Sequence, residues 1–151
     1  MKTHTYSTIV RWTAPDGEGT TSYRSYARDH TVHAVGKPEI AASSDPAFRG
    51  NAARYNPEEL LVASLSSCHM LWYLHLCSIN GVTVVDYRDD ASGAMEESDG
   101  SAQFVSVELR PGVTIAAGDR ARALALHEEA HRLCFIARSV NFPVSVQPQL
   151  L

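Results

Sequence analysis

The sequence predicts an α+β protein in which antiparallel sheets pack around two long central helices, and three observations carry that expectation. Residues 60–79 contain no Lys, Arg, Asp or Glu and follow a helix start signal, so no face of this helix is built for bulk water. Residues 119–134 place small and apolar side chains at helical spacing along one stripe. Around these two stretches lie short segments that alternate apolar and polar residues, separated by Gly, Pro, Asp and Ser.

In chain order, residues 5–12 alternate well enough to be a strand, and Ala14-Pro15-Asp16-Gly17 starts a turn. A second strand is expected over 20–27, leading to Arg28-Asp29-His30, and a third over 31–36 completes an antiparallel meander that Lys37-Pro38 ends. Residues 43–50 have the Ser, Asp, Pro and Gly content of an irregular loop. Asn56 then caps the first long helix, which ends at Asn80 just before Gly81. Pro57 suits the first helical position, where its missing N–H costs nothing, and Glu58 and Glu59 meet the positive end of the helix dipole. Glu59 also stands three residues after the cap, as a reciprocal capping box requires.

After Gly81, residues 82–87 form a strand that 91–95 extends beyond a polar kink. Residues 96–100 make a solvated hairpin loop, and 103–109 pair back onto the preceding strand. In the second helix, Ala123, His127, Ala130 and Cys134 share one face while Arg122, Glu129 and Arg132 look outward. A last strand over 140–146 closes the chain. Without a repeat, low-complexity stretch or linker to divide it, the chain of 151 residues reads as one domain, 1–151, large enough for a core without disulfide staples.

Composition narrows the function classes. A formal charge of −4, with thirteen scattered Lys and Arg, argues against a nucleic-acid surface, which needs clustered cations. The uncharged helix is long enough to span a bilayer, but Ser64, Ser66, Ser67, His69, His75 and Ser78 interrupt it, its leading flank is acidic and no basic cluster marks a cytoplasmic side. A core helix explains all three facts, so no membrane is expected. The first residues lack the apolar run of a signal peptide, which makes the cytoplasm the expected location. Three cysteines, Cys68, Cys77 and Cys134, are then thiols rather than structural bridges.

Helix geometry sorts those thiols. Cys68 and Cys77, nine residues apart, point in roughly opposite directions, so Cys77 reads as a packed core thiol. His75 lies on nearly the same face as Cys68 but two turns away, and a lone His on an apolar face reads as a hydrogen-bonded core residue. Cys68 and Cys134 each sit at an apolar face of a long helix, and two such helices pack face to face. Taken singly, each could be a small buried hydrophobe. A nearby cation supply, from Arg28, His30 and Arg49, favours a reactive thiolate.

Arg28-Asp29, Asn56-Pro57-Glu58-Glu59-Leu60-Leu61, Ser67-Cys68 and a cysteine after the second long helix together resemble the OsmC/Ohr family. That resemblance implies an OsmC-like fold in an intertwined homodimer and a thiol-dependent peroxidase that reduces organic hydroperoxides, in some members hydrogen peroxide, without haem, metal or flavin. It matches Cys68 to the attacking cysteine, Cys134 to the resolving cysteine, Glu58 to the family's glutamate and Arg28 to its arginine, with Arg24 and Arg49 as alternatives. The chain departs from the family in having Phe135 where many relatives have proline, and in the aromatic run around His69, Met70, Trp72 and Tyr73. Leu61, Leu65, Trp72 and Phe135 are candidates for an apolar wall around an alkyl substrate, and an external dithiol must reopen a disulfide formed in the cycle.

Glu58 and Cys68 are separated by about 15 Å along the helix axis, so one straight helix cannot bring their side chains together. Two copies side by side resolve this, with Arg28 and Glu58 serving the cysteine of the other chain, which predicts an obligate homodimer with composite sites. Two rival readings remain. His127-Glu128-Glu129-Ala130-His131 matches the zinc-protease pattern, but a catalytic zinc needs a third protein ligand and only Cys134 follows. A non-enzymatic domain binding a small hydrophobic ligand would leave the cysteines as packing.

Overall fold

A computed structural model describes residues 1–151 and divides into two compact units, Met1–Leu60 and Leu61–Leu151. In the first unit, β1 (Ile9–Arg11), β2 (His30–His33) and β3 (Ile40–Ala42) form an antiparallel sheet in that order, with Val10 opposite Val32 and Thr31 opposite Ala41. The strand expected over 20–27 does not form; that stretch is a series of turns. Its serines supply the reason: Ser25 Oγ donates within reach of Gly19 O and Ser22 O and accepts from Ser22 N–H, local bonds that compete with a strand ladder. The meander therefore takes its third strand from Ile40–Ala42, beyond Pro38, where the sequence pattern had placed its end. Ala42 is fully buried, and Tyr55 is tied to this strand by backbone bonds, accepting from Ser43 N–H at 2.8 Å and donating to Ala41 O at 3.2 Å.

The first long helix, α1 (Pro57–Ile79), carries both expected end signals. Asn56 Oδ1 accepts the Glu59 N–H at 2.8 Å while a Glu59 carboxylate oxygen accepts the Asn56 N–H at 3.1 Å, a reciprocal capping box. At the other end Gly81 has φ 69°, and Val82 N–H donates to Cys77 O at 3.1 Å, closing the Schellman-type stop that a left-handed residue permits.

Two mixed sheets complete the second unit. One runs β4 (Thr83–Asp89), β7 (Pro111–Ala117), β9 (Gln149–Leu150); the other runs β5 (Ser92–Ser98), β6 (Ser101–Leu109), β8 (Val144–Val146). Residues 91–95 thus belong to a separate strand in a different sheet rather than extending β4. The corner between them is pinned by Asp89, whose carboxylate accepts from Arg110 N–H and Ser66 O–H. Strands β5 and β6 form the expected hairpin, though its turn is tighter than the 96–100 loop: Asp99 and Gly100 alone have positive φ, 52° and 78°, as a two-residue hairpin turn demands. Gly93 on β5 has no room for a side chain, because a Cβ there would stand 2.6 Å from Phe104 and 2.9 Å from Val62.

Strand β7 lacked a sequence expectation, the strand expected over 140–146 forms only as β8, and β9 follows it outside that range. Both β8 and β9 pair in parallel, with β6 and β7. The second long helix, α2 (Arg120–Leu133), starts at an Asp119 cap whose Oδ1 accepts the Arg122 N–H at 2.6 Å. Its expected stripe is buried, with Ala123, His127, Ala130 and Cys134 all at 2% exposure or less. One apolar cluster joins Tyr73, Leu76 and Cys77 of α1 to Leu126 and Ala130 of α2 and Val113 of β7; a second gathers Leu65, Val107 and Leu109.

Within the second unit α1 is not covered on every side, which leaves open the part of it that the sequence reserves for the rest of the fold or a partner chain. Only 28% of its most apolar 18-residue window is buried, and Leu71 and Ile79 are 61% and 65% exposed. The two mixed sheets and α2 cover one face and leave the other uncovered.

Candidate functional site

Two sulfurs meet in the second unit. Cys68 is half-buried on α1, and Cys134 is the residue that ends α2, 1% exposed, with extended dihedrals of φ −61° and ψ 115°. Because α2 stops there, the Cys134 N–H donates to His131 O at 3.3 Å, and its Sγ accepts the Ala137 N–H at 3.5 Å. Both thiols are free, and the Cys68 sulfur is a neighbour that acts on the Cys134 thiol. Burial pushes the Cys134 thiol up to about 11; the Ala137 N–H pulls the other way and the adjacent Cys68 sulfur adds to the rise. Cys134 is therefore a neutral thiol at physiological pH. Cys77 stands apart in the core, where burial also raises its thiol above the usual range.

An aromatic corner adjoins the sulfurs. Trp72, one turn beyond Cys68, meets Phe135, the residue after Cys134, edge to face at 5.3 Å. Trp72 also lines an open groove of about 180 Å³ with Leu71 and His75. His75 is exposed with its ring against Trp72, so it is not the hydrogen-bonded core residue expected from the sequence; it lies on the uncovered face of α1. Of the other two wall candidates, Leu61 is half-buried and Leu65 is buried among Val107 and Leu109.

The first unit holds the candidate cations. Arg28 lies with its guanidinium 3.7 Å from the Tyr26 ring centre and 4.8 Å from that of Tyr23, and it donates to the carbonyl oxygens of both tyrosines. Next to it, Asp29 forms an ion pair with Arg54 Nε at 3.3 Å and accepts from Asn51 Nδ2 at 3.3 Å, which fastens the turn that presents Arg28. Arg24 and Arg49 are exposed, and Arg49 lies 5.8 Å from the Tyr23 ring. Glu58 is half-buried, and its Oε2 is buried without a hydrogen-bond partner.

The sequence pattern assigned no role to a histidine pair between the two long helices. His69 Nε2 and His127 Nδ1 are 3.0 Å apart, and the Tyr73 ring stacks on His127 at 3.7 Å. The only available signal was that His127 falls on the buried stripe of α2; nothing local links it to His69, 58 positions away. This engagement occupies one nitrogen of the His-Glu-Glu-Ala-His pattern, and no three His, Cys, Asp or Glu side chains converge as a metal site.

Residues 50–149 match the family of OsmC-like proteins. Among solved structures, an OsmC-like protein of unknown function from Vibrio cholerae is 34% identical, covering 97% of this chain and 99% of that one, with a TM-score of 0.88. An organic hydroperoxide resistance protein from Legionella pneumophila is 17% identical over 98% of each chain, with a TM-score of 0.65. The organic hydroperoxide resistance protein OhrB of Bacillus subtilis is 18% identical, also over 98% of each, with a TM-score of 0.62. These last two share the fold. No match is found among curated proteins. The α+β architecture built on two long helices, the match over residues 50–149 and the likeness to the Vibrio protein along nearly its whole length place this chain in the OsmC-like protein family.

Proposed function

We propose that this chain is a cysteine-based peroxidase that reduces organic hydroperoxides, and that Cys68 and Cys134 are its reacting pair. The observation that carries the reading is their arrangement: a half-exposed thiol on α1 beside a buried one at the end of α2. The Cys68 thiolate attacks the distal peroxide oxygen; the O–O bond breaks, the alkoxide takes a proton and leaves as alcohol, and Cys68 becomes a sulfenic acid. Cys134 then attacks that sulfur, the S–O bond breaks, and hydroxide leaves with the Cys134 proton as water. An external dithiol reduces the resulting disulfide and restores both thiols. Trp72 and Phe135 offer an alkyl chain an apolar surface next to the sulfurs.

Arg28 and Glu58 enter this reading from a second copy of the chain. The guanidinium stabilises the negative thiolate and binds peroxide oxygen, and the Glu58 carboxylate orients it by a charge-assisted pair. The unpartnered Glu58 oxygen and the uncovered apolar face of α1 support a homodimer with composite sites. Resistance of the Legionella and Bacillus relatives to organic hydroperoxide, as their names state, agrees with the chemistry.

Mass spectrometry after one equivalent of an alkyl hydroperoxide tests the proposal. The expected product is a Cys68–Cys134 disulfide, with turnover abolished by Cys68→Ser and nearly intact in Cys77→Ser. Unchanged thiols would favour the second reading, a binder of small hydrophobic ligands, for which the groove of Leu71, Trp72 and His75 is the supporting feature.

A further inference from the structure

The buried histidines are a titratable cluster that the proposed chemistry leaves unused. His69 and His127 are 1% and 2% exposed, their ring planes differ by 9°, and one hydrogen bond of 3.0 Å joins Nε2 of the first to Nδ1 of the second. Burial keeps both rings neutral near pH 7, so each carries one ring proton and a single N–H lies between them. Their outer nitrogens, His69 Nδ1 and His127 Nε2, are buried without partners. The mutual bond is thus the only hydrogen bond either side chain makes. Tyr73 reinforces it, stacking on His127 at 3.7 Å while its hydroxyl donates to Ala123 O of α2 at 3.0 Å.

The position of this bond matters more than its strength. On α1, His69 directly follows Cys68; on α2, His127 stands on the same buried stripe as Cys134, two turns earlier. Apolar side chains tolerate a helix sliding past its neighbour, whereas a hydrogen bond between two ring nitrogens is lost within about 1 Å of stretch. One residue of slip along a helix is about 1.5 Å. Disulfide formation has similar demands, since Cβ atoms must come within about 4.5 Å in a narrow range of directions.

We propose that the His69–His127 hydrogen bond is a positioning device that sets the register of α1 on α2 and thereby the approach of Cys68 to Cys134. It rests on the reading of those cysteines as a reacting pair and adds which side chains place them. Neither histidine touches substrate. Their contribution is to the closeness of the two sulfurs, which a thiol–disulfide equilibrium measures without any hydroperoxide.

The experiment equilibrates the full-length protein with mixtures of reduced and oxidised glutathione. In this exchange the Cys68 and Cys134 thiols lose two electrons and two protons to form one S–S bond, and glutathione disulfide becomes two glutathione thiols. Acid trapping and mass spectrometry give the equilibrium constant. His69→Gln keeps an amide nitrogen where the imidazole Nε2 stood and can bond to either tautomer of His127; His69→Leu removes the bond.

The expected result is an equilibrium constant at least about tenfold lower in His69→Leu and within about threefold of the parent in His69→Gln. His127→Asn and His127→Leu repeat the comparison from the other helix, should one leucine variant fail to fold. A purely structural role would lower the stability of reduced and oxidised protein alike and leave the constant unchanged, which would overturn the proposal. Absence of any Cys68–Cys134 disulfide in the parent would overturn it together with the reacting-pair reading. A disulfide that forms in glutathione but not with alkyl hydroperoxide would leave the positioning role standing and remove the peroxidase.

Discussion

His69 and His127 are held neutral well below the usual histidine range, His69 at about 4 through burial and then the nearby His131, His127 at about 3 through burial and then His69 itself. In the unfolded chain both imidazoles take up protons near pH 6.5. Between that pH and about 4 the unfolded state therefore binds more protons than the folded one, and stability falls as pH falls. Each tenfold loss of proton affinity on folding corresponds to about 1.4 kcal/mol, and the two rings interact rather than act independently, so the loss is on the order of a few kcal/mol. Urea denaturation should show a midpoint that drops between pH 7 and pH 5, with a smaller drop in His127→Leu. An equal drop in both would assign the pH dependence to other groups. Cys134 shows the same principle on an acid: burial disfavours its charged form and keeps it a thiol near neutral pH.

At the scale of elements, what was local in sequence was legible. The Asn56 and Glu59 capping box and the Gly81 stop each depend on residues within a turn of one another, and both form. Replacing Asn56 with Ala removes the side-chain bond to the Glu59 N–H and keeps the backbone N–H that the Glu59 carboxylate accepts. The expected cost is about 1 kcal/mol, read as a lowered thermal midpoint with unchanged far-ultraviolet dichroism. Strands were read less well because their partners are distant. Residues 20–27 have the composition of a strand, yet the Ser25 side chain satisfies backbone groups of that stretch first. Strands β8 and β9 are three and two residues long, and they exist because β6 and β7 offer them open parallel edges.

For the whole molecule, the uncovered face of α1 is the decisive feature. A single chain leaves Leu71 and Ile79 largely exposed, which is costly for contiguous apolar surface and is relieved if a second copy packs there. Sedimentation should give a dimer. If Arg28 serves the cysteine of the other chain, coexpressed Arg28→Ala and Cys68→Ser subunits should regain up to about a quarter of parental activity, since half the dimers are mixed and each holds one complete site. No recovery would place the arginine and the cysteine of one working site in the same chain.

The amino-acid sequence alone determined the two long helices, the buried stripe ending at Cys134, the separation of Cys77 from Cys68 and the family to which the chain belongs, because helix periodicity and short motifs act over a few residues. Only the tertiary structure decided that His75 faces outward, that His69 and His127 share one bond, and that Asp89 divides one expected strand into members of two sheets. Each of these depends on which surfaces meet across tens of residues, and hydrophobic burial selects such meetings by shape and area, quantities that no local pattern records.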